Sequence, residues 1–475
     1  MTTLLLKNSL ALLLALSLLE SCKPSTSEGS ASEELASNDD SLAYSPQAPQ
    51  WSSQATIYEV NLRQYTPEGT INAFRKHLGR LDSLGVEILW IMPVQPIGQK
   101  NRKGSLGSYY SIRDYTAINP ELGTMQDFKT LVKEAHEHGM HLLLDWVANH
   151  TAFDHPWTEQ HPDWYHRDST GTITSPVDDW SDVADLNYEK PGLRKAMRGA
   201  MRYWVEEADV DGFRCDVAMM VPMDFWVKTR QSLDSLKEVF MLAEAEGPEF
   251  YQAFDMTYGW ELHHLMNQTA AGESSLTEIL HYAVKSDTTY SPTELRMYFT
   301  TNHDENSWNG TVFERLERHH SNYFVLASTL PRGMPLVYSG QEAGLDKRLR
   351  FFEKDTIAWG QRDSLYRFYR DMLHLKQGHP ALVNATDHTD FSPLLVDTLS
   401  EGMGALGYQL SHGEQRLRVY LNFGPQPTQV SIRSPHTQWY DALSNEALPS
   451  GKKNITIPAH GFRLLSTVKT QIAQS

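Results

Sequence analysis

Cysteine is nearly absent from this chain, and long apolar runs are scarce. Only Cys22 and Cys215 occur among the 475 residues, which excludes a small fold stabilised by several disulfides. The one long apolar run, at residues 9–19, is too short and too close to the amino terminus for a transmembrane helix. A chain with neither several disulfides nor a transmembrane helix must be stabilised by a large packed core.

The chain also lacks an excess of positive charge. It carries 42 Lys and Arg against 59 Asp and Glu, a formal net charge of −17. This balance argues against nucleic acid or an anionic membrane surface as the main partner. A neutral ligand such as a sugar is not excluded, because net charge does not steer it. The hydrophobic content of 40% is that of a folded globular protein and excludes a disordered one.

The first residues have the pattern of an export signal. Leu19-Glu-Ser-Cys22 follows the apolar run and resembles a bacterial lipobox, in which the cysteine becomes the lipidated first residue of the mature protein. We predict a lipoprotein signal peptide at residues 1–22 and lipidation of Cys22. The protein would then be exported and anchored on the periplasmic or cell-surface side, touching the membrane only through its lipid. The alternative is an ordinary cleaved signal with an incidental cysteine.

Strand and helix patterns alternate from about residue 51. Val86-Glu-Ile-Leu-Trp-Ile-Met92 is almost continuously apolar, as expected of a parallel strand buried on both faces. A capping-box pattern at Thr124 and Asp127 predicts a helix that ends at Gly139. His141-Leu-Leu-Leu-Asp145 is the next strand. Because no hairpin signals intervene, the alternation predicts βαβ units.

The order of these units predicts an α/β protein built on a TIM (β/α)8 barrel at residues 51–380. A long interval after the third strand predicts a small inserted subdomain at residues 150–187. Past residue 380 the apolar pattern changes to period two, which predicts a C-terminal all-β sandwich at residues 381–475. Residues 23–50 are rich in Ser, Glu and Ala and are predicted to form a disordered tether.

Four short segments place acidic, basic or histidine residues directly after apolar runs. They are Asp145-Trp-Val-Ala-Asn-His150, Gly212-Phe-Arg-Cys-Asp-Val-Ala218, Leu242-Ala-Glu-Ala-Glu246 and Phe299-Thr-Thr-Asn-His-Asp304. The interval from Asp216 to Glu244 matches one strand–helix unit of roughly 30 residues, and the interval from Glu244 to Asp304 matches two. Carboxylates at the ends of several barrel strands converge on one pocket, so these segments predict an active site there.

With these segments in this order, the chain resembles the α-amylase family (glycoside hydrolase family 13) over about residues 52–465. Tyr110-Ser-Ile-Arg-Asp-Tyr115, Val183-Ala-Asp-Leu-Asn187 and Leu336-Val-Tyr-Ser-Gly-Gln-Glu342 are similar to further segments of that family. The resemblance implies retaining hydrolysis of α-1,4-glucosidic bonds in starch, maltodextrins or related α-glucans. A transglycosylase and an exo-acting α-glucosidase stay open as alternatives, because they use the same intermediate. An inactive glucan-binding protein has no need of the intact acidic trio.

The resemblance implies a role for each acidic residue. Asp216 matches the nucleophile, Glu244 the acid/base, and Asp304 the third carboxylate, which grips the sugar as its ring distorts. Arg214 lies two residues before Asp216 and therefore on the same strand face. We expect Arg214 to keep Asp216 ionised through charge pairing.

Several neighbouring residues are expected to bind the substrate or support the site. The resemblance implies that His150 and His303 donate hydrogen bonds to the sugar and that Tyr110 stacks on it, with Tyr109 as the alternative to Tyr110. Asp145 is expected to brace the arginine and tyrosine and not to contact the bond that is cleaved.

The resemblance also implies a calcium ion between the barrel and the inserted subdomain. Asn149 and Asp185 match two of its oxygen ligands, the kind that this hard cation requires. The family's usual Lys-His pair after the nucleophile is here Met219-Met220, so its sugar contacts are lost and only a backbone carbonyl could serve as a ligand. The alternative is that Asn149 and Asp185 only brace their loops. No organic cofactor is expected.

Overall fold

The computed structural model of the protein describes residues 44–360, 362–383, 389–394, 404–432, 437–449 and 453–470. Cys22, the predicted signal peptide and most of the predicted tether lie outside the described residues. Within the described part of the chain, no helix is both long and apolar enough to cross a membrane.

Strands and helices alternate over most of the chain, and strands dominate its last part. The strands are β1 (Ile57–Val60), β2 (Ile88–Ile91), β3 (His141–Trp146), β4 (His150–Ala152), β5 (Val183–Asp185), β6 (Gly212–Cys215), β7 (Phe240–Ala243), β8 (Met256–Tyr258), β9 (Leu295–Phe299), β10 (Gly333–Tyr338), β11 (Thr389–Pro393), β12 (Ala405–His412), β13 (Gln415–Asn422), β14 (Thr428–Ile432), β15 (Tyr440–Asp441), β16 (Lys453–Ile457) and β17 (Phe462–Ser466). The helices are α1 (Leu62–Tyr65), α2 (Ile71–Arg75), α3 (Leu78–Leu84), α4 (Met125–Glu137), α5 (Trp157–Gln160), α6 (Pro191–Ala208), α7 (Met223–Asp234), α8 (Trp260–Ala270), α9 (Leu276–Thr289), α10 (Val312–Leu316), α11 (His320–Thr329) and α12 (Asp363–Gly378).

Eight strands form a closed parallel barrel in the order β1-β10-β9-β8-β7-β6-β3-β2. Strand β1 pairs with both β2 and β10, so the first and last barrel strands close the cylinder. The barrel strands contribute a buried apolar cluster that includes Ile57, Leu143, Phe240 and Met297. The prediction of a TIM barrel is confirmed, and its carboxyl-terminal face is the expected place for an active site.

One predicted helix is interrupted in the structure. The apolar spacing over residues 71–81 predicts a single helix, whereas α2 and α3 are separate. The His77 N–H donates to the Phe74 carbonyl oxygen at 2.8 Å, a three-residue step that tightens the backbone between the two helices. The buried face is kept across the break, at Ile71, Phe74, Leu78 and Leu81.

The remaining strands are antiparallel. Strands β4 and β5 pair with each other after β3, and the C-terminal region contains the sheet β11-β12-β13-β17-β15 and the pair β14-β16. The predicted C-terminal β-structure is therefore confirmed, while the exact domain boundaries stay predictions. In the region predicted as tether, Pro49 is buried and the Gln47 carbonyl accepts a hydrogen bond from Arg230 at 3.0 Å.

Candidate active site

The predicted acidic residues lie at or beyond the carboxyl ends of barrel strands. Asp145 is within β3, Asp216 directly follows β6, and Glu244 directly follows β7. Asp304 lies beyond β9, at the start of a short π-helical turn. Because parallel strands end at the same face of the barrel, these side chains are directed to one region.

Arg214 in β6 is the centre of this region and is fully buried. Its Nη1 atom lies 2.9 Å from Asp145 Oδ1 and 3.0 Å from Asp216 Oδ1, and its Nη2 atom lies 2.8 Å from Glu244 Oε2. Its Nε–H donates to the Tyr258 hydroxyl at 3.1 Å. A buried guanidinium needs such partners to offset its desolvation, and here it draws three carboxylates together.

Three carboxylates around one guanidinium determine the protonation of the site. Burial and the nearby Glu244 carboxylate raise the pKa of Asp216, and Arg214 opposes this rise. Burial also raises the pKa of Glu244, again against the effect of Arg214. The expected pairing of Arg214 with Asp216 is present, but it does not outweigh the effects of burial and of Glu244 on the pKa of Asp216. Because Asp216 and Glu244 contact the same guanidinium, their titrations are linked.

Val217 connects the two strand ends through its backbone. It is a β-branched residue with φ of +36°, a left-handed conformation that carries strain. In this conformation its N–H donates to Glu244 Oε2 at 2.7 Å. Since Oε2 already contacts Arg214, the other oxygen of Glu244 is the one free to carry a proton toward a ligand. The neighbouring Cys215 is buried in the core.

Asp145 is fully buried and has no free carboxylate oxygen. Oδ1 contacts Arg214, while Oδ2 accepts hydrogen bonds from Trp90 Nε1 and from the Tyr110 hydroxyl, each at 3.0 Å. The structure thus places Asp145 between the arginine and the tyrosine, the bracing position expected from the sequence.

His303 is held by charge on both sides of its ring. Nδ1 lies 2.5 Å from Glu59 Oε1, and Nε2 lies 2.7 Å from the Tyr110 hydroxyl and 3.3 Å from Asp304 Oδ2. Burial alone would lower the pKa of His303, but Asp304 and Glu59 outweigh it and raise this pKa to about 9. The imidazolium therefore donates from both nitrogens at neutral pH, and the Tyr110 ring stacks on it with centroids 5.3 Å apart.

His150 differs from His303 because it lacks a charged partner. It is buried at the start of β4, and burial lowers its pKa to about 3. Its imidazole is therefore neutral and can donate one hydrogen bond. Trp180 lies beside it, with ring centroids 5.5 Å apart. The predicted roles of His150, His303 and Tyr110 in sugar binding stay predictions.

The two predicted calcium ligands are neighbours. Asp185 in β5 pairs with His150 in β4, and the Asn149 carbonyl oxygen accepts from the Leu186 N–H at 3.2 Å. The described part of the chain contains no group of three or more His, Cys, Asp or Glu that could hold a metal ion. One carboxylate and one amide fall short of the six to eight oxygens that calcium takes. The residues present do not fit a calcium ion by themselves.

Sequence reasoning missed four residues of the site. Glu59 and Trp90 lie in strands, at positions that the alternation of side chains could have directed into the barrel mouth. Tyr258 ends β8, one residue beyond the strand that the apolar pattern predicts at residues 254–257. The contribution of Val217 comes from its backbone conformation, for which the sequence contains no signal.

A closed parallel barrel whose strand ends bring acidic residues around one buried guanidinium defines the class of TIM-barrel glycosidases. The chain belongs to the α-amylase family, because residues 36–361 match the family model described as the α-amylase catalytic domain. The α-amylase MalA of Haloarcula japonica is 29% identical over 429 residues, which cover 86% of this chain and 62% of that protein. This chain thus spans less than two thirds of that relative's length.

Solved structures support the same assignment. A noncanonic maltogenic α-amylase, AmyB of Thermotoga neapolitana, is 31% identical with a TM-score of 0.78, covering 88% of this chain and 99% of that one. An α-amylase of Lactobacillus plantarum is also 31% identical with a TM-score of 0.79, covering 88% of this chain and 100% of that one.

Proposed function

We propose that this protein is a retaining glycoside hydrolase that cleaves α-1,4-glucosidic bonds in starch, maltodextrins or related α-glucans. The observation that carries the proposal is the convergence of Asp216 and Glu244 on the single guanidinium of Arg214. Double displacement requires such a pair: one ionised carboxylate and one carboxylic acid close together. The names of the relatives, α-amylases among them, support the choice of α-glucans.

Glu244 supplies the proton in the first step. Its Oε2 atom is engaged by Arg214 and by the Val217 N–H, so Oε1 carries the proton and gives it to the glycosidic oxygen. Asp216 uses its Oδ2 atom, which Arg214 does not contact, to attack the anomeric carbon as that bond breaks. A covalent glycosyl-enzyme forms, and water deprotonated by Glu244 releases the sugar with its original configuration.

Asp304 and His303 act on the sugar that distorts. The Asp304 side chain is 38% exposed, so its carboxylate is accessible to sugar hydroxyls. The adjacent His303 imidazolium keeps a positive charge beside this carboxylate and orders Tyr110. Hydrogen bonds to hydroxyls that strengthen in the transition state contribute to the rate.

Transfer of the glycosyl group to a sugar hydroxyl is the second candidate reaction. Hydrolysis restricted to chain ends (exo-action) is a variant of the proposed hydrolysis. An α-1,4-glucan:maltose-1-phosphate maltosyltransferase of Arcanobacterium haemolyticum is 35% identical over 198 residues, 37% of this chain. Water and a sugar hydroxyl compete for the same intermediate, so the products decide. With maltoheptaose, products longer than the substrate would support transfer, and glucose as the sole early product would support exo-action.

The proposed hydrolysis is tested with amylose, maltoheptaose, pullulan, cyclodextrin and trehalose, followed by sizing of the products. We expect shorter α-1,4 oligosaccharides whose new reducing ends form first as the α-anomer, as seen by NMR. Azide added to Asp216→Gly should yield a β-glycosyl azide, while azide added to Glu244→Ala should yield an α-glycosyl azide. The same anomer from both variants, or a first product of β-configuration, would reject the assigned roles.

We also propose that the protein is an exported lipoprotein anchored through Cys22, on the periplasmic or cell-surface side. The apolar run and the lipobox-like segment before Cys22 support this. Expressed in a bacterium supplied with labelled palmitate, the protein should carry label and sediment with membranes. Cys22→Ser should lose the label and the sedimentation. A wild-type protein that is unlabelled and freely released would reject the anchor.

A further inference from the structure

Trp308 is the only exposed tryptophan in the described part of the chain, with 52% of its surface accessible. Its indole N–H donates no hydrogen bond to any described residue. A tryptophan combines a large apolar face with one polar donor, and an exposed one is typical of a binding surface. Met219 and Met220, in the turn after Asp216, are also exposed, whereas Leu236 and Val284 lie beside or on outer helices.

The turn that carries Trp308 is anchored on its inner side. It is a π-helical turn, Glu305–Asn309, that directly follows Asp304. The buried Glu305 carboxylate lies 3.1 Å from His263 Nε2 and accepts from Asn309 Nδ2 at 2.9 Å. Asn306 Oδ1 accepts from the Leu349 N–H at 2.9 Å. Single π turns are frequent at functional sites, and this one holds Trp308 close to Asp304.

An aromatic surface leads from Trp308 to the candidate active site. The Trp308 ring lies 5.3 Å from that of Phe351 and 5.8 Å from that of Phe352. Phe351 in turn lies 6.3 Å from Tyr110, and their ring planes are nearly parallel at 15°. Tyr110 contacts His303 and Asp145 inside the site. These aromatic side chains thus extend from the residues of the candidate active site out to Trp308.

We propose that Trp308, supported by Phe351 and Phe352, binds a further glucosyl ring of the α-glucan, beyond the ring held by the carboxylates. The apolar C–H face of the sugar stacks on the indole, and the indole N–H donates to a hydroxyl. Trp308 is then a determinant of chain-length preference. This inference rests on the proposed function, because it takes the same α-glucan as its ligand.

The first test uses Trp308 as its own probe. In Asp216→Asn, or in Glu244→Gln if the first variant does not fold, iodide should quench the exposed indole. Maltoheptaose should protect it, and glucose should not. Trp308→Phe in the same background should remove both the iodide-sensitive fraction and the protection. Quenching that maltoheptaose leaves unchanged, while maltoheptaose binds by calorimetry, would overturn the inference.

The second test is kinetic. In the active enzyme, Trp308→Ala should lower the ratio of kcat/KM for maltoheptaose to kcat/KM for maltotriose about tenfold, the worth of an aromatic stacking contact. Trp308→Phe should restore part of the ratio, and Val284→Ala should leave it at the wild-type value. An unchanged ratio in Trp308→Ala would overturn the inference alone. A wild-type enzyme that neither binds nor cleaves maltoheptaose would reject the proposed function together with it.

Discussion

Glu59→Gln isolates the contribution of the His303 charge. The pKa of His303 rises from 6.5 to about 9 because Asp304 and Glu59 outweigh burial. A rise of that size corresponds to about 3 kcal/mol of preference for the charged form. Because the pKa of the folded state is raised, this stabilisation is complete below the unfolded-state pKa of 6.5 and is lost as the pH rises through about 9.

Replacing Glu59 removes one of the two attractive charges and keeps a hydrogen-bond acceptor. We expect the pKa of His303 to fall by about 1 to 2 units, which is about 1.4 to 3 kcal/mol. The stability of the variant should therefore decline at lower pH than that of the wild type.

Urea unfolding from pH 6 to 10 measures the effect without reliance on any substrate. Glu137→Gln, at an exposed glutamate on α4, is the matched control and should leave the pH dependence unchanged. In a His303→Gln background, Glu59→Gln should no longer shift the pH at which stability declines. If Glu59→Gln leaves this pH unchanged in the protein that retains His303, the charge pair does not set the pKa of His303 and the reasoning is refuted.

Three further predictions concern the acid, the strained backbone and the metal. Glu244→Gln should lower kcat about 100- to 10,000-fold on maltoheptaose while thermal unfolding shows a folded protein; a smaller loss would remove it as general acid. Val217→Gly should leave the free energy of unfolding within about 1 kcal/mol of wild type, because glycine accepts the left-handed backbone. Val221→Gly, at a buried extended position, should lower the free energy of unfolding by about 2 kcal/mol or more. Equal losses in the two variants would contradict backbone strain at Val217. A chelator should leave the melting temperature unchanged; a fall that calcium reverses would show that Asn149 and Asp185 do hold the ion.

The barrel was predictable from the sequence because its strands are short, buried on both faces and separated by helices. Val86-Glu-Ile-Leu-Trp-Ile-Met92 contains β2, and His141-Leu-Leu-Leu-Asp145 contains most of β3. The Thr124 capping box predicted the start of α4, and both of its hydrogen bonds are present. The break between α2 and α3 was not predictable, since the apolar spacing is the same with or without it.

The acidic residues of the candidate site were predictable, but several of their neighbours and the contacts among them were not. Motif order placed Asp216, Glu244 and Asp304 at strand ends, whereas the sharing of Arg214 by three carboxylates depends on side-chain packing. Neighbours far apart in the chain, such as Glu59 and His303, carry no mutual signal in a single sequence. The left-handed conformation of Val217 arises from the tertiary structure around it, against its local preference.

Closure of the barrel between β1 and β10 also determines when the enzyme can first work. Glu59 belongs to the first strand, whereas its partner His303 follows the ninth strand in chain order. During synthesis, a nascent polypeptide that ends before residue 303 has the nucleophile and the acid but lacks the imidazolium that contacts Tyr110 and Asp304. The active site is therefore complete only late in synthesis, after the last barrel strand, β10, has paired with β1.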